Sequence, residues 1–110
     1  MTDTEGKVAV VTGASGGIGR AAALRLARDG FRVVLNYAGH AEKAETAVAE
    51  IKATQGHAFA VQADLSGAAA VERLFGDTLG AFGRIDIVVN AAGLMPLGRL
   101  PWKVSRPSTG

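Results

Sequence analysis

The chain has 110 residues, 48% of them hydrophobic, with 15 glycines, no cysteine and a formal net charge of +2. That length accommodates one small domain. The absence of cysteine excludes a disulfide scaffold, and two well-separated histidines, His40 and His57, are too few ligands for a zinc site, so no metal residue is assigned.

Lys7 to Thr12 is an apolar, β-branched run ending in glycines, which predicts a strand buried on both faces and a turn directly after it. Gly16 to Asp29 is rich in Ala and Leu, with Ile18, Ala22 and Leu26 at i+4 spacing. Gly30 stands where a C-terminal glycine belongs, so a helix is predicted. Phe31 to Tyr37 reads as a second strand around Val33, Val34 and Leu35. Ala41 to Thr54 then sets Ala44, Ala47, Val48 and Ile51 on one helical stripe, with Glu42, Lys43, Glu45, Glu50 and Lys52 on a solvated face. His57 to Gln62 is a short third strand. Ser66 is the expected N-cap of a third helix carrying Val71, Leu74, Phe75, Leu79 and Phe82, and Ile85 to Asn90 is a fourth strand.

Strict β/α alternation with short loops predicts an α/β fold in which parallel strands are joined by right-handed crossovers. The expected form is a Rossmann-like sheet in order 3-2-1-4, the first two helices on one face and the third on the other, lacking the C-terminal half of such a fold. Ligands of these sheets bind outside the carboxyl ends of the strands, where the order reverses. There the sequence has two glycine-containing turns, TGASGGIG at Thr12 to Gly19 and NAAG at Asn90 to Gly93. Glycines let backbone approach a pyrophosphate, and the helix N-terminus that follows offers unpaired N–H groups and partial positive charge. Gly13, Gly17 and Gly19 are the anchors of the first turn. The structural reading of the same residues is a tight strand-to-helix connection. A triphosphate-binding P-loop is excluded, because Arg20 and Ala21 follow Gly19 where Lys and Ser or Thr are required.

TGASGGIG, Asp64-Leu65 after strand three and NAAG, in this order, resemble the short-chain dehydrogenase/reductases from Lys7 to about Leu100. NYAG after strand two looks most like NADP-dependent 3-oxoacyl carrier-protein reductases and related carbonyl reductases. The resemblance implies a nicotinamide dinucleotide as partner, held by Gly13, Ser15, Gly16, Gly17, Ile18, Gly19, Asn36, Tyr37, Asp64, Leu65, Asn90, Ala91, Ala92 and Gly93. Asp64 would bond the adenine amino group with the Leu65 backbone beside it, and Asn90 to Gly93 would line the cofactor. The plainer alternatives are a helix-capping carboxylate at Asp64 and a strand-terminating turn at Asn90. Where an NAD site usually places a carboxylate at the end of strand two, this chain has Asn36, which leaves room for a phosphate. Ser15, Tyr37 and His40 can donate to that phosphate, which favours NADP over NAD. The glycine turn has no arginine to add to it, and His40 also reads as an ordinary exposed loop residue.

The family's hydride chemistry uses a serine, a Tyr-x-x-x-Lys pair and a further asparagine. Tyr37 is the single tyrosine, and Ala41 lies four residues on, so no catalytic residue is assigned. Without the phenol to deliver a proton and the lysine to lower its pKa, carbonyl reduction has no acid. The expected protein is therefore the cofactor-binding part of an NAD(P)(H)-dependent short-chain oxidoreductase, truncated and inactive alone, without the helices through which the family forms homo-oligomers. Two other readings stand beside it, a separate nucleotide-binding or regulatory module and one chain of a split reductase.

The chain changes character near Leu100, giving a partial dinucleotide-binding domain at 1–100 and an irregular tail at 101–110. Met1 to Leu100 carries ten basic and ten acidic residues, and Lys103 and Arg106 supply the whole excess, which argues against a nucleic-acid partner. The polar Met1 to Lys7 has no apolar run behind it, and no run nears the roughly 18 residues of a membrane span, so a soluble cytoplasmic protein is expected. The codons that spell PWKVSRPSTG, taken one base earlier, permit Ala-Leu-Glu-Ser-Phe-Glu-Ala-Phe-Asp-Arg, the kind of helix the family has after NAAG. A one-base loss near Leu100 is the expectation this suggests, with a natural unstructured tail as the alternative. A fourth strand with no neighbour beyond it would leave unpaired backbone beside Ile87, Val88 and Val89 and favour association.

Overall fold

The computed structural model describes residues 6–14 and 16–91. The elements follow in strict alternation: β1 (Val8–Thr12), α1 (Gly17–Arg28), β2 (Arg32–Tyr37), α2 (Ala41–Ala53), β3 (Ala58–Gln62), α3 (Ala68–Phe82) and β4 (Ile87–Asn90). All strand pairs are parallel, and the sheet order is β3-β2-β1-β4, as the alternating pattern predicts. β1 pairs with β2 through Val10 and Val34, and with β4 through Thr12 and Asn90.

The central strand explains the apolar run. Every residue from Val8 to Thr12 is buried, because one face of β1 meets α1 and α2 and the other meets α3. Ala9, Val11, Val33 and Leu35 point to the first side, where Ala23, Ala47 and Ile51 complete the core. Val10 and Val34 point to the second, against Val71, Leu74 and Phe75. Two helices on one face and one on the other is the arrangement that right-handed crossovers impose on this strand order.

Several boundaries differ from the sequence expectation, each for a local reason. Gly67, not Ser66, is the N-cap of α3, and no side chain caps that helix. The Ser66 N–H instead donates to Asp64 Oδ1 at 3.1 Å, so Asp64 closes the turn that Ser66 was expected to end. In α1 the buried stripe is Gly19 and Ala23, with Leu26 and Ala27 partly covered; Ile18, on the i+4 row with Ala22 and Leu26, is 81% exposed. Gly30 follows the C-cap Asp29 at φ +102°, the positive-φ position predicted for it.

β4 begins at Ile87 because Asp86 is occupied otherwise. Its N–H donates to the Val8 carbonyl at 2.8 Å, and its Oδ2 accepts the Val8 N–H at 2.8 Å. Arg84 forks onto both carboxylate oxygens at 2.8 Å. The Arg84 guanidinium, with help from the Val8 N–H, holds the Asp86 carboxyl below the usual carboxylate range despite its partial burial. The amino ends of the two central strands are thus joined through a carboxylate. No described helix is long and apolar enough to cross a membrane.

Candidate functional site

At the carboxyl end of β1 the chain must leave a buried strand and enter α1 within a few residues. Gly13 does so at φ +68°, a conformation glycine adopts without strain, and its carbonyl accepts the Gly16 N–H at 3.1 Å. Helix α1 then packs directly on the turn. A Cβ on Gly19 would lie 2.4 Å from the Gly13 carbonyl oxygen, so only glycine allows that approach. At Gly17 a Cβ would meet nothing within 4 Å, and the space beside the first helical turn is open. The N-cap Gly16 makes no side-chain cap bond and the first turn has no acidic residue. No described residue accepts from the N–H groups of Gly17, Ile18 or Gly19. A helix start without a side-chain cap, and with open space beside Gly17, suits an anion such as a pyrophosphate.

The other strand ends gather around this turn. Thr12, fully buried, donates its hydroxyl to Asn90 Oδ1 at 2.9 Å, and the Ala91 N–H reaches the Thr12 carbonyl at 3.3 Å. The start of NAAG is thereby fixed beside the start of TGASGGIG, the convergence expected at the switch point. Thr12 was not singled out by sequence reasoning; a hydroxyl at the last position of an otherwise apolar strand was the available signal. Tyr37 ends β2, half-buried, and its carbonyl accepts the Ala63 N–H at 2.9 Å. Asp64 is exposed just beyond β3, while the Leu65 side chain enters the core under α3. His40 is exposed at the start of α2, in a left-handed conformation, with Nδ1 3.8 Å from Glu42 Oε1. Ser15, Ala92 and Gly93 lie outside the described residues.

Asn36, near the end of β2, turns its amide onto backbone. Its side chain is 2% exposed and faces neighbouring backbone. Oδ1 accepts the Gly13 N–H at a long 3.5 Å, and Nδ2 donates to the carbonyls of Val61 (3.3 Å) and Ala63 (3.2 Å). Both polar atoms of the Asn36 side chain are thus engaged by backbone groups. Clefts among the described residues also lie elsewhere. One of about 450 Å³ lies at the opposite end of the sheet, lined by Gly30, Arg32, Gln55, Gly56 and His57 among others.

An open parallel sheet with an uncapped glycine turn at its switch point defines the Rossmann-like, doubly wound class. Comparison with known proteins narrows this further. The family model for short chain dehydrogenases matches residues 7–103, three residues past the Leu100 boundary expected from composition. A 3-oxoacyl-[acyl-carrier-protein] reductase from Synechocystis is 51% identical over 94 residues, covering 86% of this chain and 38% of that protein. A dehydrogenase/reductase from Sinorhizobium meliloti superposes with a TM-score of 0.78 at 47% identity, over 82% of this chain and 36% of its own. A metagenomic short-chain oxidoreductase in complex with NADP superposes at 0.77 with 44% identity, over 84% of this chain and 42% of its own. The chain belongs to the short-chain dehydrogenase family. It spans about two fifths of the length of these relatives, the part that holds the first four strands.

Proposed function

We propose that residues 1–100 form the adenine- and pyrophosphate-binding part of an NADP(H)-dependent oxidoreductase acting on a carbonyl/alcohol pair, with 101–110, outside the described residues, as a segment separate from it. The observation that carries this reading is the uncapped start of α1, with open space at Gly17, set beside Asn90, Ala91 and the Asp64 turn. The pyrophosphate takes the N–H groups of the first helical turn, Asp64 accepts from the adenine amino group, and Asn90 and Ala91 line the path toward the nicotinamide. Ser15, Ala92 and Gly93, which complete the two motifs, are assigned to the same cofactor. Ile18, an exposed hydrophobic residue at the mouth, covers the ligand with apolar surface.

The preference for NADP over NAD is supported by the absence of a carboxylate at the end of β2 and by the NADP complex of the 44% identical relative. Ser15, Tyr37 and His40 are the donors to a 2′-phosphate on this reading. When bound, the nicotinamide supplies the hydride. These residues bind and orient the cofactor and hold no proton donor for the carbonyl oxygen, since the Tyr-x-x-x-Lys pair does not occur in the sequence. The segment by itself therefore binds the dinucleotide without reducing a substrate.

Calorimetric titration with 2′-phospho-ADP-ribose and with ADP-ribose tests this. Each missing contact removes about 1 kcal/mol, so binding is expected to be micromolar or weaker. The phosphorylated ligand should bind better. Submicromolar affinity, tighter binding of ADP-ribose, or carbonyl reduction by these residues alone would contradict the proposal.

A further inference from the structure

We propose that Asn36 is the positioning residue that couples the pyrophosphate turn to the adenine-side turn, so that the two are held as one unit. This rests on the reading above, in which both turns hold one nucleotide. Asn36 engages four backbone groups on two sides. Toward the glycine turn, its carbonyl accepts the Ala14 N–H at 2.8 Å and its Oδ1 accepts the Gly13 N–H at 3.5 Å. Toward β3, its Nδ2 donates to Val61 at 3.3 Å and to Ala63, the residue before Asp64, at 3.2 Å. The orientation of the amide follows from these partners, since an N–H lies on one side and two carbonyls on the other.

The chemistry is specific to an amide. One acceptor faces a donor, and two hydrogens on one nitrogen serve two acceptors, in a place that is 2% exposed. An aspartate of the same shape keeps the acceptor for Gly13 but turns a negative oxygen toward two carbonyl oxygens, with little water to relieve it. A serine is shorter and has one hydrogen to give. Asn36 therefore acts on the ligand through the backbone of Gly13, Ala14 and Ala63, without touching it.

The test compares the chain with Asn36→Asp and Asn36→Ser by amide hydrogen exchange without ligand and by calorimetry with 2′-phospho-ADP-ribose. In Asn36→Asp the amides of Gly13, Ala14 and Ala63 should lose protection together while those of Val10 and Val34 keep theirs, and affinity should fall about tenfold or more. Asn36→Ser should give a smaller loss at the same amides, and it carries the test if the buried carboxylate prevents folding. Loss of protection on one side only, or a folded variant that binds as tightly as the parent, overturns the proposal. Coupled loss of protection in a chain whose parent binds no nucleotide leaves the coupling standing and removes the nucleotide reading instead.

Discussion

The two ends of the same sheet treat their polar groups differently. At the amino ends of β1 and β4, polar groups are matched: Asp86 takes the Val8 N–H and Arg84 forks onto the carboxylate. At the carboxyl ends, the first turn of α1 is left uncapped, without an acid, beside open space at Gly17. Matched groups stabilise the chain alone, whereas N–H groups that no described residue takes up suit, on the proposed reading, a ligand that arrives later. On the proposed reading the difference separates residues that hold the fold from residues that serve a ligand, so substitutions at the two ends should break different properties.

The largest effect is expected at Gly19, where both roles meet. Gly19→Val forces a side chain into the Gly13 carbonyl and should cost about 3 kcal/mol or more of stability together with all nucleotide binding, read by chemical denaturation and calorimetry. Asp86→Ala acts at the matched end alone. It leaves the Val8 N–H and Arg84 without their acceptor and should cost roughly 1–3 kcal/mol while nucleotide affinity in the folded protein is unchanged. Gly17→Val acts at the unmatched end alone: its Cβ has room, so stability should change by about 1 kcal/mol or less, but the pyrophosphate is excluded and calorimetry should show no binding.

The matched end should also reveal itself through pH. Asp86 titrates below the usual carboxylate range in the folded chain, so its stabilisation is fully present above the unfolded-state value of about 4 and is lost as pH falls through the folded value. The stability gap between the parent and Asp86→Asn, followed by urea unfolding, should therefore shrink on acidification below about pH 4. A gap that widened there would contradict the role given to this carboxylate. The smallest effect belongs to the exposed Arg20–Glu50 pair between α1 and α2, where Arg20→Ala should cost no more than about 0.5–1 kcal/mol.

Much of the sheet was legible because its signals are periodic. The unbroken apolar run at Val8–Val11 and the stripe at Ala44, Ala47 and Ile51 each admit one placement, and strict alternation of elements then leaves few topologies. The convergence of the two glycine-containing turns was legible for the same reason, since it follows from strand order. What the sequence did not reveal depends on which partner a polar side chain chooses. Asn36 reads as a ligand-facing residue by position, yet its register with Val61 in β3 turns its amide onto backbone carbonyls. Ser66 has cap chemistry, but α3 starts one residue later, at the N-cap Gly67, and the Ser66 N–H goes to Asp64. Asp86 reads as a strand residue between two isoleucines, and only its pairing with Val8 across 78 residues gives it a separate role. Ile18 fits an i+4 row, but the close approach required at Gly19 rotates the buried stripe of α1 by one position.

The central claim, that the carboxyl end of the sheet and not its amino end receives the nucleotide, is tested most directly by following backbone amide resonances during titration with 2′-phospho-ADP-ribose. Saturable shifts are predicted at Gly17, Ile18 and Gly19, at the Asp64 to Ser66 turn and at Ala91, with Val8 and Asp86 unmoved. Shifts confined to Gly30, Gln55, Gly56 and His57, around the cleft at the opposite end, or no shifts at millimolar ligand, would contradict it.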